Sequence, residues 1–420
     1  MARSRTIRAQ EARLAYWMLL PPVLIVAAVV LFPVAANFWI AFKPVELPDL
    51  RPPAPLWRES ADVGADARIE VLYRMRNSAA DQPILEVVLT DAVPEGAAPA
   101  ELPDACMVEA GMLTCRLGDW EGGHRDQLDL TFSAAAGADP DALAQAMEES
   151  EALFTGEAAN PLLTGPFTLD NFRTVVNQRE FWDVMWITIV YTVFGTLGAL
   201  ILGLFAAQLL NSSFRGRTLL RGLFLFPYVS PVIAVAFTWV FFLDPFSGVV
   251  NALTVHYGVA DAPVNFLGER SVPISFLGLT IQFPLALATV IAFEAWRYFP
   301  LSFLFILARL QALPQDLYEA AEVDGATPLQ KFRYITLPQL IGILLILFIL
   351  RFIWTFNKFD DIFLLTGGAA GTRTLTVNVY EQGFALLNLG AGAAVAVITF
   401  AVLAVFMVAY FLLTPKQETT

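Results

Sequence analysis

Histidine and cysteine are nearly absent from this sequence: two of each occur among its 420 residues. No nucleophile motif lies near His124 or His256, so acyl-transfer or hydrolytic chemistry has no visible apparatus. A metal site is poorly provided for as well, because His124 is the one histidine near the two cysteines and zinc sites are built from several such ligands. The phosphate-cradling pattern G-x-x-x-x-G-K-[ST] is missing, which excludes ATP binding and hydrolysis of that kind by this chain. Charge is scarce too. Only 15% of residues are Asp, Glu, Lys or Arg, while 57% are hydrophobic, against about 45–50% apolar in ordinary soluble domains.

The surplus of apolar residues is concentrated in long runs. A bilayer core needs roughly 20 consecutive apolar residues in a helix, and six stretches qualify: 16–42, 181–210, 219–243, 281–308, 340–359 and 389–413. Arg3, Arg5, Arg8 and Arg13 precede the first run as they would a secretory signal. The apolar segments of signals span only about 7–15 residues, however, so this longer run reads as a retained helix. Those arginines, Arg215/Arg217/Arg221, Lys331/Arg333 and Lys416 all fall on one side of a six-span topology. Cytoplasmic loops are enriched in such residues. Both termini are therefore expected in the cytoplasm, with membrane lipid as the surroundings of the spans.

The net charge of −13 is unevenly spread. Residues 44–165 hold 23 acidic and 7 basic side chains, a balance of −16, and the rest of the chain carries +3. Nothing in this distribution suggests a nucleic-acid partner. Following the first span, this acidic block is expected outside the cytoplasm. Its stretches 67–75, 85–91, 111–118 and 127–134 alternate apolar and polar residues, the period of half-buried strands. They point to a small β-sandwich-like domain with a marginal core. Cys106 and Cys115 both lie in this exported block, where a disulfide is expected, the other reading being two free buried thiols. Residues 138–153, acidic and helix-permissive, read as a linker back to the membrane. The organisation expected is thus a first span (1–43), an acidic β-rich insert (44–165) and a core of five further spans (166–420), an all-α polytopic membrane protein with an extracytoplasmic β insertion.

Between the fourth and fifth runs lies a polar loop, 311–336, with the sequence PQDLYEAAEVDGA. Pro314 opens a short helix, acids fill its first turns and Gly325 stops it. An exposed helix held between two spans suits either a soluble partner or a plain solvated connector. The pattern decides between them. Glu319, Ala320 and Ala321 are followed by Asp324, Gly325, Ile335, Leu337 and Pro338 in the spacing EAA-x3-G-x9-I-x-L-P. This resembles the coupling loop of binding-protein-dependent ABC importer permeases. FTLDNFRTVV, FLFPYVSPVIAVAFTWVFFLDPFSGVVN and FNKFDDIFLLTGGAAGTRT are similar to the carbohydrate, maltose-type branch of that family. The resemblance covers the first span and 167–420, and leaves the insert outside. It implies a type I importer fold of about six helices. It also implies cytoplasmic ATPase subunits that bind ATP and Mg, no cofactor in this chain, a second and non-identical permease chain, and an extracytoplasmic sugar-binding protein. Glu319 would face a basic residue of the ATPase, and Gly325 would permit the turn.

Charge inside apolar spans is costly, about 2.5–3.5 kcal/mol at a helix centre, and tends to line a cavity. Glu294 and Arg297 stand three residues apart in the fourth run, Arg351 lies inside the fifth, and FLFPYVSP around Tyr228 opens the third. One reading is a sugar cavity; another is a structural Glu294–Arg297 pair surrounded by packed aromatics. By the family's landmarks, the sugar-facing positions fall on Tyr228, Glu294, Arg297, Tyr298, Leu301, Arg351, Trp354 and Thr355. Of these Tyr228 alone keeps the expected residue type, which leaves maltose itself in doubt. Asp360 and Asp361 read as either solvated or facing a binding protein. The expected function is the permease subunit of an ABC importer for a di- or oligosaccharide, such as an α-glucoside. The alternative is a secondary transporter or channel that uses Glu294, Arg297 and Arg351 as an ion relay.

Overall fold

The computed structural model describes residues 2–64, 68–276 and 279–413, so Ala67 and Lys416 of the expectations above lie outside the described residues. The chain forms two compact units, Met1–Ala41 with Leu169–Thr420, and Phe42–Thr168.

The first unit is helical. Helix α1 (Ala2–Val26) continues through one wide turn at Ala27–Leu31 into α2 (Phe32–Ala41). After the insert come α3 (Arg179–Asn211), α4 (Arg217–Phe224), a single turn at Phe226–Val229 and α5 (Val232–Phe242). Then follow α6 (Leu285–Gln311), α7 (Asp316–Val323), α8 (Leu337–Phe356), α9 (Asp360–Thr366) and α10 (Leu389–Leu413). Among the described residues five helical stretches are long and apolar enough to cross a membrane, and six if the bent pair Arg217–Val229 and Val232–Phe242 forms one span.

That pair is bent within FLFPYVSP, the stretch that opens the third apolar run. Its halves meet at 93°. Pro231 forces the preceding Ser230 into an extended conformation (φ −66°, ψ 144°), so a continuous helix is impossible there. The fourth span also starts later than its hydrophobicity suggests. Val272–Phe276 and Leu279–Phe283 pair as an antiparallel hairpin, and α6 begins only after Pro284. Ile281 and Phe283 extend the apolar run without being helical, because a residue before proline favours extended backbone.

Helices α3 and α6 form the central pair. Small residues let their backbones approach: a Cβ on Gly198 would come within 2.7 Å of the Ala295 Cβ, and one on Gly203 within 2.6 Å of the Ser302 Cβ. Leu200, Ala207 and Leu210 of α3 pack with Phe303 and Ile306 of α6 and Leu340 and Leu347 of α8.

The second unit is a sandwich of two antiparallel four-stranded sheets. Its strands are β1 (Pro55–Val63), β2 (Arg68–Asn77), β3 (Ile84–Ala92), β4 (Ala97–Glu101), β5 (Cys106–Glu109), β6 (Met112–Trp120), β7 (Arg125–Ala134) and β8 (Leu153–Glu157). They are ordered β1-β2-β7-β4 and β5-β6-β3-β8. Ile69, Val71, Tyr73, Ile84, Leu89, Trp120, Leu130 and Phe132 fill the space between the sheets. Cys106 and Cys115 stand opposite each other on β5 and β6 and are joined by a disulfide. The segment expected as a linker folds instead into the helix Pro140–Glu148, capped by Asp139. It buries Leu143, Ala144 and Met147 in the sandwich core, because those three residues share one helical face.

Candidate functional site

The break in the bent span sets up the site. Pro231 has no N–H, so the carbonyl of Pro227 four residues earlier loses the partner a helix would give it. Arg297 on α6 supplies one: its guanidinium donates to Pro227 O at 3.1 Å and to Ser230 O at 3.0 Å. The sequence reading that paired Arg297 with Glu294 is therefore corrected. Broken-helix carbonyls draw the arginine to one side of α6.

Glu294 faces the other way and pairs with Arg351 of α8, an ion pair buried on both sides. The same carboxylate accepts hydrogen bonds from Thr355 Oγ1 at 2.8 Å and from the Tyr191 hydroxyl of α3 at 3.1 Å. Arg351 also donates to Thr355 Oγ1 at 3.2 Å. Gly195 makes room for this arrangement, since a Cβ there would stand 2.8 Å from Glu294 Cγ. An isolated buried charge would be expensive, and this network of partners offsets that cost inside the helical unit.

Tyr298 joins the two halves of the cluster. The guanidinium of Arg351 and the ammonium of Lys358 each lie 4.4 Å from its ring centroid, and Tyr228 meets it edge-on at 6.1 Å. Asp361, the second residue of α9, completes the constellation. It is 0% exposed, 3.9 Å from Arg297 and 3.8 Å from Lys358, yet neither carboxylate oxygen receives a hydrogen bond.

Glu294, Arg297, Tyr298, Arg351 and Thr355 thus come together, with Tyr228 at their edge. Leu301 lies one turn beyond Arg297, half-buried, and Trp354 is 47% exposed on α8; neither joins the polar cluster among the described residues. Three members were not found from sequence. Asp361 read as a solvated or partner-facing acid, and its burial follows from Ile362 and Leu365 beside it, which sink into the core. Lys358 belongs to the same charged stretch. Tyr191 had a visible signal, since Thr188, Tyr191, Thr192 and Gly195 put a polar, small face on an otherwise oily helix.

The loop 311–336 forms a separate exposed feature. Helix α7 presents Glu319 and Ala320 to solvent, with Ala321 half-buried; Asp324 caps it, and Gly325 turns the chain at φ +79°. The Tyr318 hydroxyl is 2.9 Å from Thr336 Oγ1, and Lys331 pairs with Glu322 at 2.5 Å. Thr327 and Gln330 form a capping box on the next turn. Held this way, Val323 and Leu329 remain 88% and 74% exposed.

Residues 199–419 match the family model described as "Binding-protein-dependent transport system inner membrane component". The inner membrane ABC transporter permease protein YcjO of Escherichia coli is 36% identical over 259 residues, which is 61% of this chain and 82% of that protein. The trehalose/maltose transport system permease protein MalF of Thermococcus litoralis is 36% identical over 247 residues, 58% of this chain and 79% of that one. Among solved structures, a bacterial alginate ABC transporter in complex with an alginate pentasaccharide-bound periplasmic protein shares the fold. It has a TM-score of 0.53 at 21% identity, covering 60% of this chain and 85% of that one. The unit Phe42–Thr168 lies outside the residues matched by the family model.

Proposed function

This chain belongs to the binding-protein-dependent transport system inner membrane components, and from that membership we infer that it is the non-catalytic permease subunit of an ABC importer for a di- or oligosaccharide. The observation that carries the sugar reading is the cluster at the broken span. There Glu294, Arg297, Arg351, Thr355 and Asp361 gather around the rings of Tyr298 and Tyr228. Carboxylates and guanidinium groups accept from and donate to hydroxyls, and aromatic faces suit the apolar patches of a pyranose ring. Asp361, with two oxygens lacking hydrogen bonds, is the acceptor best placed to take hydroxyl protons as the pathway opens. The alternative of an ion relay leaves the loop 311–336 and the family membership unexplained.

In this reading an extracytoplasmic sugar-binding protein delivers the substrate, and a second permease chain supplies the other wall of the pathway. Cytoplasmic ATPase subunits, which bind ATP and Mg, dock on α7 and its flanking turn. The preformed loop supports that docking. Glu319 is exposed for a basic partner, and Val323 and Leu329 offer apolar surface for a partner to cover. In this reading the termini lie in the cytoplasm and the insert 44–165 outside it, which counting the bent pair as one span and the positive-inside rule support.

Affinity capture of the full chain from its native membrane, read by mass spectrometry, tests the assignment. Wild type should bring down an ATPase and a second permease, and Glu319→Ala should deplete the ATPase at least severalfold while retaining the permease. A wild-type chain recovered alone would overturn the importer reading.

A further inference from the structure

The second unit is strongly acidic, yet one face of it is not. On the outer side of the sheet β1-β2-β7, Arg58 of β1 stands directly opposite Arg74 of β2, and Arg76 of β2 directly opposite Arg125 of β7. All four arginines are exposed, and the ion pairs found among the described residues involve none of them. Together with Leu56 and Gln127 they line a shallow recess of about 910 Å3, in which Asp126 is the one acid. Like charges facing each other across antiparallel strands are unfavourable. Two such pairs, side by side, hold four of the seven basic residues of the 44–165 block.

Along the same strands the charge reverses. Asp62 opposes Glu70, and Asp129 opposes Leu72 between them and the arginines. With Arg68 the one base at that far end, beside Glu70, the face is basic at one end and on balance acidic at the other.

The basic end is also the end at which the chain enters and leaves this unit. The entering segment is tied to the turn after β2: Gln82 Nε2 donates to Asp49 Oδ1 at 2.7 Å, Ala54 N to Ser78 Oγ at 2.9 Å and Ser78 N to Ala54 O at 3.1 Å. Strand β8 points the same way, with Glu157 beside Leu85 of β3, before the chain departs. The two connecting segments are joined by the hydrogen bond from Thr168 N to Phe42 O at 2.8 Å. Phe42 follows directly on α2, the end of the first apolar helix.

We propose that the four-arginine face of this unit rests on anionic headgroups of the membrane surface, with phosphate groups accepting from Arg58, Arg74, Arg76 and Arg125. Guanidinium forks match phosphate geometry bidentately. The tethers hold this end of the unit near a bilayer at high effective concentration, an advantage that a soluble acidic partner lacks. The acidic far end is repelled by the same surface, which fixes the orientation. The inference rests on the first helix being a membrane span and is independent of the transported substrate.

A test uses the full chain in lipid nanodiscs. With Cys106 and Cys115 joined, Gln127→Cys provides a single thiol for a fluorophore beside the arginines, and Asp62→Cys provides one at the acidic end. Nanodiscs of phosphatidylcholine, or of equal parts phosphatidylcholine and phosphatidylglycerol, carry a headgroup-linked quencher. The label at 127 should be quenched in the anionic discs and spared in the neutral ones, and the label at 62 spared in both. The doubly reversed Arg74→Glu/Arg76→Glu chain should lose the quenching. An arginine near an anionic surface contributes about fivefold to partitioning, so two reversals predict a drop of at least about 20-fold. High salt should mimic that loss by screening. Since strand-face reversals can disturb folding, Arg58→Gln/Arg125→Gln serves as a milder second variant, with an intermediate loss expected. Equal quenching in both disc types, or none in either, overturns the proposal. So does protection of the label at 127 only on adding a sugar-binding protein, which would assign the face to that protein.

Discussion

Glu294 and Arg351 lie 57 positions apart in the chain, and each is the other's main partner. Removing one member of a buried pair typically costs about 3–5 kcal/mol, whereas replacing both can be nearly neutral. Arg351→Met and Glu294→Gln are therefore each expected to lower the melting temperature of the detergent-purified chain markedly. The double variant should recover much of the loss, and strict additivity in that double-mutant cycle would count against the pair. Asp361 faces two cations, Arg297 and Lys358, without a hydrogen bond of its own. Asp361→Asn removes the buried negative charge opposite them, so it should lower the melting temperature and weaken sugar-stimulated transport, measured in proteoliposomes holding the complete transporter. Unchanged transport would remove Asp361 from the pathway. These residue-level facts also mark the limit of what sequence reveals. Intramembrane charge drew attention to Glu294, Arg297 and Arg351, and the i,i+3 spacing offered a local Glu294–Arg297 pair as the alternative to a cavity. The actual pairing depends on α8 and on carbonyls freed by Pro231, neither of which is local to α6.

Elements were more legible than contacts. Apolar runs long enough to span a bilayer announce themselves, and all six lie on helices, with edges displaced by a few residues. The start of the fourth run is misplaced where proline governs backbone geometry, at Pro284, while hydropathy runs on unchanged. In the sandwich, β2, β3, β6 and β7 follow the alternating stretches. Strands β1, β4, β5 and β8 were not seen, since none has more than one fully buried position to mark an alternation. The turn after α7 invites an element-scale test. Gly325 has open space where a Cβ would project, but its φ of +79° is left-handed. Forcing a branched residue there costs about 1–2 kcal/mol. Gly325→Val should thus distort the end of α7 and reduce ATPase recovery in the affinity capture, with total chain level unchanged; full recovery would mean the turn is immaterial to docking.

At the scale of the whole molecule, the two units should respond separately to pH. In the sandwich, the Tyr73 hydroxyl lies between two carboxyl groups, donating to Asp91 and standing 3.2 Å from Glu59, and Ser150 Oγ donates to Asp91 at 2.6 Å. Burial, and then the nearby Asp91 carboxylate, push Glu59 up to about 7 from 4.5. The folded unit then holds a proton that the unfolded chain releases at lower pH. The stabilisation is complete below about pH 4.5 and declines as pH rises to about 7. Resistance of the insert to proteolysis should fall over that window in wild type, while Glu59→Gln should flatten the dependence. An unchanged slope in the variant would assign the effect to another group.

The hydrogen bond between Phe42 and Thr168 has a further consequence. Because the way in and the way out of the sandwich touch, excising the whole unit leaves a gap that a few residues can bridge, with little loop-closure entropy at stake. A chain lacking 44–165 but joined by a short glycine-serine link is expected to keep its ATPase in affinity capture. Seen as ancestry, the insert is then a cassette: its arrival in an existing connection, or its removal, asks for no rearrangement of the helices on either side.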